Sequence, residues 1–215
     1  FVVTLFIIGK IVCSQPVAHW KLDGNANDEL GTSDGTLING DASLYVAGLD
    51  GQAIDLSQGA DTTCIVVPSN AINDFDSTKS FTMSAFINIP DFDSNREILF
   101  KGYTSTDPAV PGSKGNWIAL ALIGKTLRMF VDDNTTKTNL DVSNADAMIA
   151  ENTWNHIVGI RDLVQDSIFL FINGEKVGSL KDNTELTMAS DPLPWVIGGG
   201  RIQNVYFDGL LDEVC

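Results

Sequence analysis

Residues 153–180 read TWNHIVGIRDLVQDSIFLFINGEKVGSL, and the punctuation of this stretch decides the fold class. Two apolar runs, Ile157–Ile160 and Ile168–Ile172, are separated by a polar break, and the second runs straight into Asn173-Gly174. A two-residue type I′ turn needs positive φ at both central positions, which Asn and Gly tolerate best, so Asn-Gly here predicts a tight antiparallel hairpin. Lys176-Val177-Gly178-Ser179 then continues a meander of antiparallel strands.

Outward from this hairpin the chain keeps the same rhythm. Phe81, Met83, Ala85, Ile87 and Ile89 alternate with Thr82, Ser84, Phe86 and Asn88, the pattern of a half-buried strand with one aromatic, Phe86, on its more polar side. Thr63–Val67 is a β-branched run closed by Pro68, and Glu97–Lys101, Trp117–Ile123 and Thr126–Asp132 read as further strands, the last two joined by Gly124-Lys125. Val17–Leu22 (VAHWKL) is expected to be a short strand with Ala18, Trp20 and Leu22 on one face. Residues 206–215 (YFDGLLDEVC) are expected to form the closing strand, and Ala71, Ile72 and Phe75 to supply one helical turn. Gly102–Asn116 reads as the longest irregular stretch, and loops of that length inside a compact domain are functional or disordered. Turn residues recurring every ~8–12 positions, with no amphipathic helix, predict an all-β sandwich, and a chain of 215 residues fits a single such domain.

The formal charge of −15 is spread along the chain in Asp-rich pieces, which excludes nucleic acid as a partner, because phosphate neutralisation needs clustered Lys and Arg. Residues 1–14 are apolar apart from a few positions and end in Val12-Cys13-Ser14, which reads as a partial secretory signal ahead of a domain spanning 15–215; a short anchor or buried strand is the alternative. Export would leave Cys64 and Cys215 in an oxidising space, either as one bridge or as two buried thiols. The chain ends inside an apolar run and so reads as a piece of a longer protein, truncated at its C-terminal end.

Five stretches in order, HWKLDGNANDELG, KSFTMSAFINIP, TWNHIVGIRD with FLFINGEKVGS, WVIGGG and YFDGLLDEV, resemble the laminin G-like, concanavalin A-like jelly-roll superfamily in its pentraxin-like branch, over about residues 17–215. Phe86 stands where that family usually shows Trp, and Asn173 where Asp often precedes the turn glycine. The resemblance implies two stacked antiparallel sheets and a structural calcium where the chain's ends meet. Asp28 and Asp212, with Asp23 and Asn25, supply the hard oxygen ligands such a site needs; the alternative is an Asx-rich turn whose side chains only cap backbone amides. Glucanases of this fold carry Glu-x-Asp-x-x-Glu on one strand, and nothing here matches: Asp212-Glu213 are adjacent, and Asp91-Phe92-Asp93 lies in a loop. His156 reads as a packing residue of the family's Trp-x-His strand, and His19 as solvent-facing. No enzyme activity is therefore expected.

Binding is the expected function. Aromatic platforms with nearby amides suit sugar rings, and Tyr103, Asn116 and Trp117 at the long loop, with Tyr206 near the last bend, form the best set. The competing reading is that Trp117 fills the sandwich core with Trp20, Trp154 and Trp195. Asp132-Asp133-Asn134 reads as a solvated turn, with a second cation site as the alternative, and Asn134-Thr135-Thr136 as a formal N-glycosylation acceptor. The expectation is a secreted or cell-surface, non-catalytic, calcium-stabilised module whose partners are glycans. Extracellular or cell-surface proteins are the alternative partner class, and a glycan hydrolase is a remote third reading; membrane insertion of the domain is not expected.

Overall fold

A computed structural model describes residues 16–75, 78–104, 115–186, 193–200 and 205–215. The stretch read as a secretory signal lies outside these residues. Fourteen strands form among them and are numbered along the chain. One seven-stranded sheet runs β1 (Thr36–Ile38), β4 (Cys64–Val67), β13 (Trp195–Ile197), β6 (Asn95–Thr104), β7 (Gly115–Ile123), β8 (Thr126–Asp133), β9 (Lys137–Ser143). The other, also of seven, runs β12 (Glu175–Lys181), β11 (Ser167–Ile172), β10 (Asn155–Asp162), β5 (Phe81–Asn88), β14 (Leu210–Asp212), β3 (Gln52–Asp55), β2 (Tyr45–Ala47). All pairings are antiparallel, and the result is the all-β jelly-roll sandwich expected from the sequence.

The period-2 patterns become the two halves of one core. Ile157 on β10 stands opposite Ala85 on β5 and Ile172 on β11, while Ile118, Leu120 and Leu122 of β7 face it from the other sheet with Leu127, Met129 and Val131 of β8. Each such side chain contributes ~1.5–3 kcal/mol when fully buried, which fixes register because a one-residue slip would expose the whole set. The 173–174 turn is type I′, with φ of 51° and 85°. Asn173 does more than tolerate that φ: its Oδ1 accepts from His156 N and its Nδ2 donates to Asn155 Oδ1.

Several local expectations change. Residues 17–22 form no strand; Trp20 makes a lone bridge to Val214, although Ala18, Trp20 and Leu22 are buried as their spacing implies. Leu22 adopts a φ of 64°, which turns the chain out of any ladder. The closing strand contracts to Leu210–Asp212. Ala71–Asn73 is a bend, because Asn70 Oδ1 accepts the amides of Ile72 and Asn73 and so competes with a helical turn. The irregular stretch is shorter than 102–116, since Gly102, Tyr103 and Thr104 pair with Trp117, Asn116 and Gly115; its middle lies outside the described residues.

One irregularity positions the candidate site. Pairing of β6 with β7 shifts between Glu97 and Leu99, so that Ile98 and Leu99 both enter the core while Glu97 and Phe100 both face away from it. A bulge of one extra residue has this effect, whereas strict alternation would have turned Phe100 inward.

Candidate functional site

On the side of β6–β9 that faces away from the second sheet, the register lines side chains up in three rows. Glu97, Ala121, Arg128 and Asp141 form the first, Phe100, Ala119, Phe130 and Asn139 the second, and Gly102, Trp117, Asp132 and Lys137 the third. Phe100, Trp117 and Ala119 make a hydrophobic cluster of their own, separate from the main core, with Phe130 packed on it. Trp117 stacks on Phe130 with ring centroids 4.4 Å apart and tilts against Phe100 at 5.7 Å. Its indole Nε1 donates to Asp132 Oδ2 at 3.2 Å, and the Arg128 guanidinium lies 5.0 Å above the Phe130 ring. Trp117 is thus neither a member of the main core nor an open platform: it is 9% exposed, and Phe130 is the half-buried ring of the stack.

The polar groups of this face differ sharply. Arg128 donates from Nε and Nη2 to both oxygens of Asp141, at 2.5 and 2.6 Å, which holds the Asp141 carboxyl below its ordinary range and pushes the guanidinium up. Burial pushes Asp132 up. Glu97 is 4% exposed, and its Oε2 has no hydrogen-bond partner among the described residues. Burial drives its carboxyl up to about 8 against a smaller opposing pull from Arg128. Asn139 Oδ1 is a second buried oxygen on the same face without a partner among the described residues. An aromatic stack edged by carboxyl and amide oxygens offers apolar contact to a sugar ring and acceptors to its hydroxyls.

Of the sequence-predicted binding residues, this face takes Trp117 alone. Tyr103 and Asn116 pair with each other at the neighbouring register position and point to the opposite side of the sheet. Tyr206 bridges Gly199 and lies beside Cys64 on β4, three strands from β7. Sequence reasoning missed Arg128, Phe130, Asn139 and Asp141, though alternation in residues 126–133 (TLRMFVDD) puts Arg128, Phe130 and Asp132 opposite Leu127, Met129 and Val131. It also placed Asp132-Asp133 in a solvated turn, whereas both are buried at the end of β8. Asp133 accepts the amides of Thr135, Thr136, Glu185 and Leu186 and so anchors two loops.

The expected calcium ligands do not gather into one set. Asp28 is filled by donors: Oδ1 accepts from His19 N and Leu30 N, and Oδ2 from Thr32 N, Thr32 Oγ1 and Ser33 N. Burial works to raise its pKa, and these bonds outweigh it and hold it down. Asn25 Oδ1 accepts Asn27 N in an Asx turn. Both therefore behave as backbone caps. Asp23 and Asp212 instead converge on the turn between β2 and β3: Asp23 Oδ1 accepts Gln52 N at 2.6 Å, and Asp212 Oδ2 accepts Leu49 N at 2.7 Å. A Cβ at Gly51 would fall within 2.1 Å of Asp23 Oδ1, and one at Gly48 within 2.7 Å of Asp212 Oδ2, so both glycines are required by close approach. Among the described residues no three His, Cys, Asp or Glu side chains come together at metal-ligand spacing, so a cation here would need backbone carbonyls besides these two carboxylates.

The two histidines are structural. His156 stacks on Phe86 at 4.5 Å and burial lowers its pKa; His19, expected in solvent, is half-buried and its Nε2 meets Glu213 Oε2 at 2.6 Å. Cys64 and Cys215 are free thiols. No helix among the described residues is long and apolar enough to cross a membrane.

A family model described as the concanavalin A-like lectin/glucanases superfamily matches residues 57–215. No curated protein matches the sequence. Among solved structures, domain 4 of AbnA, a GH43 extracellular arabinanase from Geobacillus stearothermophilus in complex with arabinotriose, superposes with a TM-score of 0.63 at 17% identity, over 92% of this chain and 89% of that one. The binding domain of Paraclostridial Mosquitocidal Protein 1 superposes at 0.62 with 18% identity, over 87% of this chain and 44% of that one. The binding domain of botulinum neurotoxin serotype C1 does so at 0.62 with 14% identity, over 92% and 47%. The chain thus spans under half of each toxin binding domain, and at these identities the likeness is one of fold.

Proposed function

Since the chain belongs to the concanavalin A-like lectin/glucanases superfamily, we propose that it is a non-catalytic, extracellular carbohydrate-binding module acting through the outer face of β6–β9. The observation that carries this reading is the Trp117–Phe130 stack edged by Asp132, Asn139 and the Arg128–Asp141 pair. A neighbour of the same fold holding arabinotriose supports a glycan as ligand. The non-catalytic part rests on placement. Glucanases of this fold align their carboxylates as Glu-x-Asp-x-x-Glu on one strand, whereas here Glu97 and Asp141 lie on β6 and β9, and Asp141 is held at both oxygens by Arg128.

Oligosaccharide titration tests the reading. Phe130→Ala, on the half-buried side of the stack, is expected to weaken binding roughly tenfold, and Tyr103→Ala, pointing the other way, to leave it unchanged. Loss in the second variant and not the first would move the site to the opposite side of the sheet.

Calcium remains part of the proposal at Asp23 and Asp212, whose shared turn links the start of the domain to its last strand. Saturating a site at 100 times its Kd adds ~2.7 kcal/mol, or roughly 5–10 °C of melting midpoint for a domain of this size. A chelator should remove that increment, and an unchanged midpoint would remove the cation from the account.

A protein-recognition module is the second reading. It is favoured by the outer face of the other sheet, where Phe86, His156, Val158, Phe169 and Phe171 stand half-buried in adjacent rows. A stable complex with a co-secreted protein, lost on Phe171→Ser with glycan affinity absent, would favour it.

A further inference from the structure

The face of β6–β9 also carries information about which glycans it takes. The charged groups in its three rows are Glu97, Asp132 and Asp141 on one side, and Arg128 and Lys137 on the other. Arg128 is held by both Asp141 oxygens, and Lys137 stands opposite Asp132 in the register. A sugar carboxylate laid here would meet carboxyl groups in two rows and would have to displace Asp141 to reach the guanidinium. Glu97 presents the opposite opportunity. Its side chain is walled by residue 200, where a Cβ would come within 3.2 Å of Glu97 Cγ, and by Ala121 in its own row, and Oε2 is left without a partner among the described residues. A buried oxygen in that state carries an unpaid desolvation penalty, and a hydroxyl that reaches it gains more than an exposed hydrogen bond would give. The row opens to solvent at its other end, where the Arg128 and Asp141 side chains are 24% and 36% exposed.

We propose that this face takes an uncharged oligosaccharide and that Glu97 is its specificity residue, a sugar hydroxyl completing the hydrogen bonding of Oε2. The inference rests on the carbohydrate-binding reading above. With its pKa pushed up to about 8 by burial, the carboxyl keeps its proton at neutral pH and offers a donor as well as an acceptor, the same pair that a hydroxyl offers in return. Sites built to hydrogen-bond a hydroxyl discriminate strongly, because their buried polar groups stay unpaired when it is missing.

The test is calorimetric titration of the whole chain at pH 7 with arabinotriose, xylohexaose and cellohexaose as neutral probes and 3′-sialyllactose as the acidic one. The wild type should bind at least one neutral probe and bind sialyllactose at least about tenfold more weakly. Glu97→Gln, which keeps a neutral donor and acceptor, should stay within about threefold. Glu97→Leu should lose at least about tenfold in affinity while its melting midpoint holds or rises, a split that a merely structural role would not produce. If the leucine variant fails to fold, Glu97→Met carries the same expectation. Equal affinity of wild type and Glu97→Leu would overturn the role of Glu97 with the carbohydrate reading intact. Equal or tighter binding of sialyllactose would overturn the selection by charge, and binding of no neutral probe would overturn the carbohydrate reading and this inference together.

Discussion

Two groups of buried acids in this molecule are treated in opposite ways by the backbone around them. At the rims, Asp28 collects the amide donors of its own stretch, residues 19–33, and Asp133 those of its own turn together with Glu185 and Leu186 from a distant loop; Asp133 is held down to about 2 although burial works against it. On the outer face of β6–β9, Glu97 is as thoroughly buried and receives no hydrogen bond at Oε2 among the described residues; its carboxyl rises to about 8. The difference separates the two roles of acidity here. The rim acids act as ionised clamps that replace regular structure where loops cross, while the face acid keeps one oxygen unsatisfied among the described residues.

The largest expected effect falls on the rim. Asp133→Ala strips the amides of Thr135, Thr136, Glu185 and Leu186 of their shared acceptor and should lower unfolding free energy by about 4 kcal/mol in a urea titration. A loss under about 1 kcal/mol would erase the contrast with Glu97.

Next comes pH, where the two acids have opposite signs. Asp133 titrates near 2 in the fold against 3.8 ordinarily, so its contribution is fully present above about pH 4 and is lost as pH falls toward 2, in all roughly 2 kcal/mol. Glu97 titrates near 8 against 4.5, so from about pH 4.5 to 8 the unfolded chain releases a proton that the fold retains. Stability should fall across that window by up to ~1.4 kcal/mol per pH unit from this group alone. Glu97→Gln should flatten the decline between pH 5 and 8 relative to wild type, and parallel profiles for the two proteins would contradict the protonated carboxyl. The smallest effect is expected at Asp141→Asn: the pair with Arg128 is part-exposed and should contribute under ~1 kcal/mol to stability.

The sandwich was legible because its carriers are local. Asn173-Gly174, the alternation from Phe81 to Asn88 and the two apolar runs of 157–172 each specify a strand or a turn without knowledge of the partner. The closing segments were less so: Trp20 and Val214 look like strand residues but meet in a single bridge, because Leu22 turns the chain at positive φ just after the contact. At the candidate site Trp117 was found by residue type, and Arg128 and Phe130 were recoverable from alternation in β8. Phe100 was not, because one bulge residue inverts the side to which every later position of β6 points, and Glu97 stands just before that break in alternation, at the start of an apolar run. The role of Asp28 was not legible in the sequence for a related reason. An Asp in an Asx-rich loop serves a cation or an amide equally well on paper, and only the fold shows that the donors are the amides of residues 19–33.

The central claim, a glycan-binding outer face on β6–β9, is tested most directly by nitrogen-15 NMR titration of the chain with a neutral oligosaccharide. The indole N–H of Trp117, which donates to Asp132, and the amides of Arg128 to Asp132 should shift, while the indoles of Trp20 and Trp195, bonded to the Ser33 and Asn73 carbonyls, stay in place. Shifts confined to the Asp23–Gln52 turn or to the outer face of β10 and β11 would contradict it.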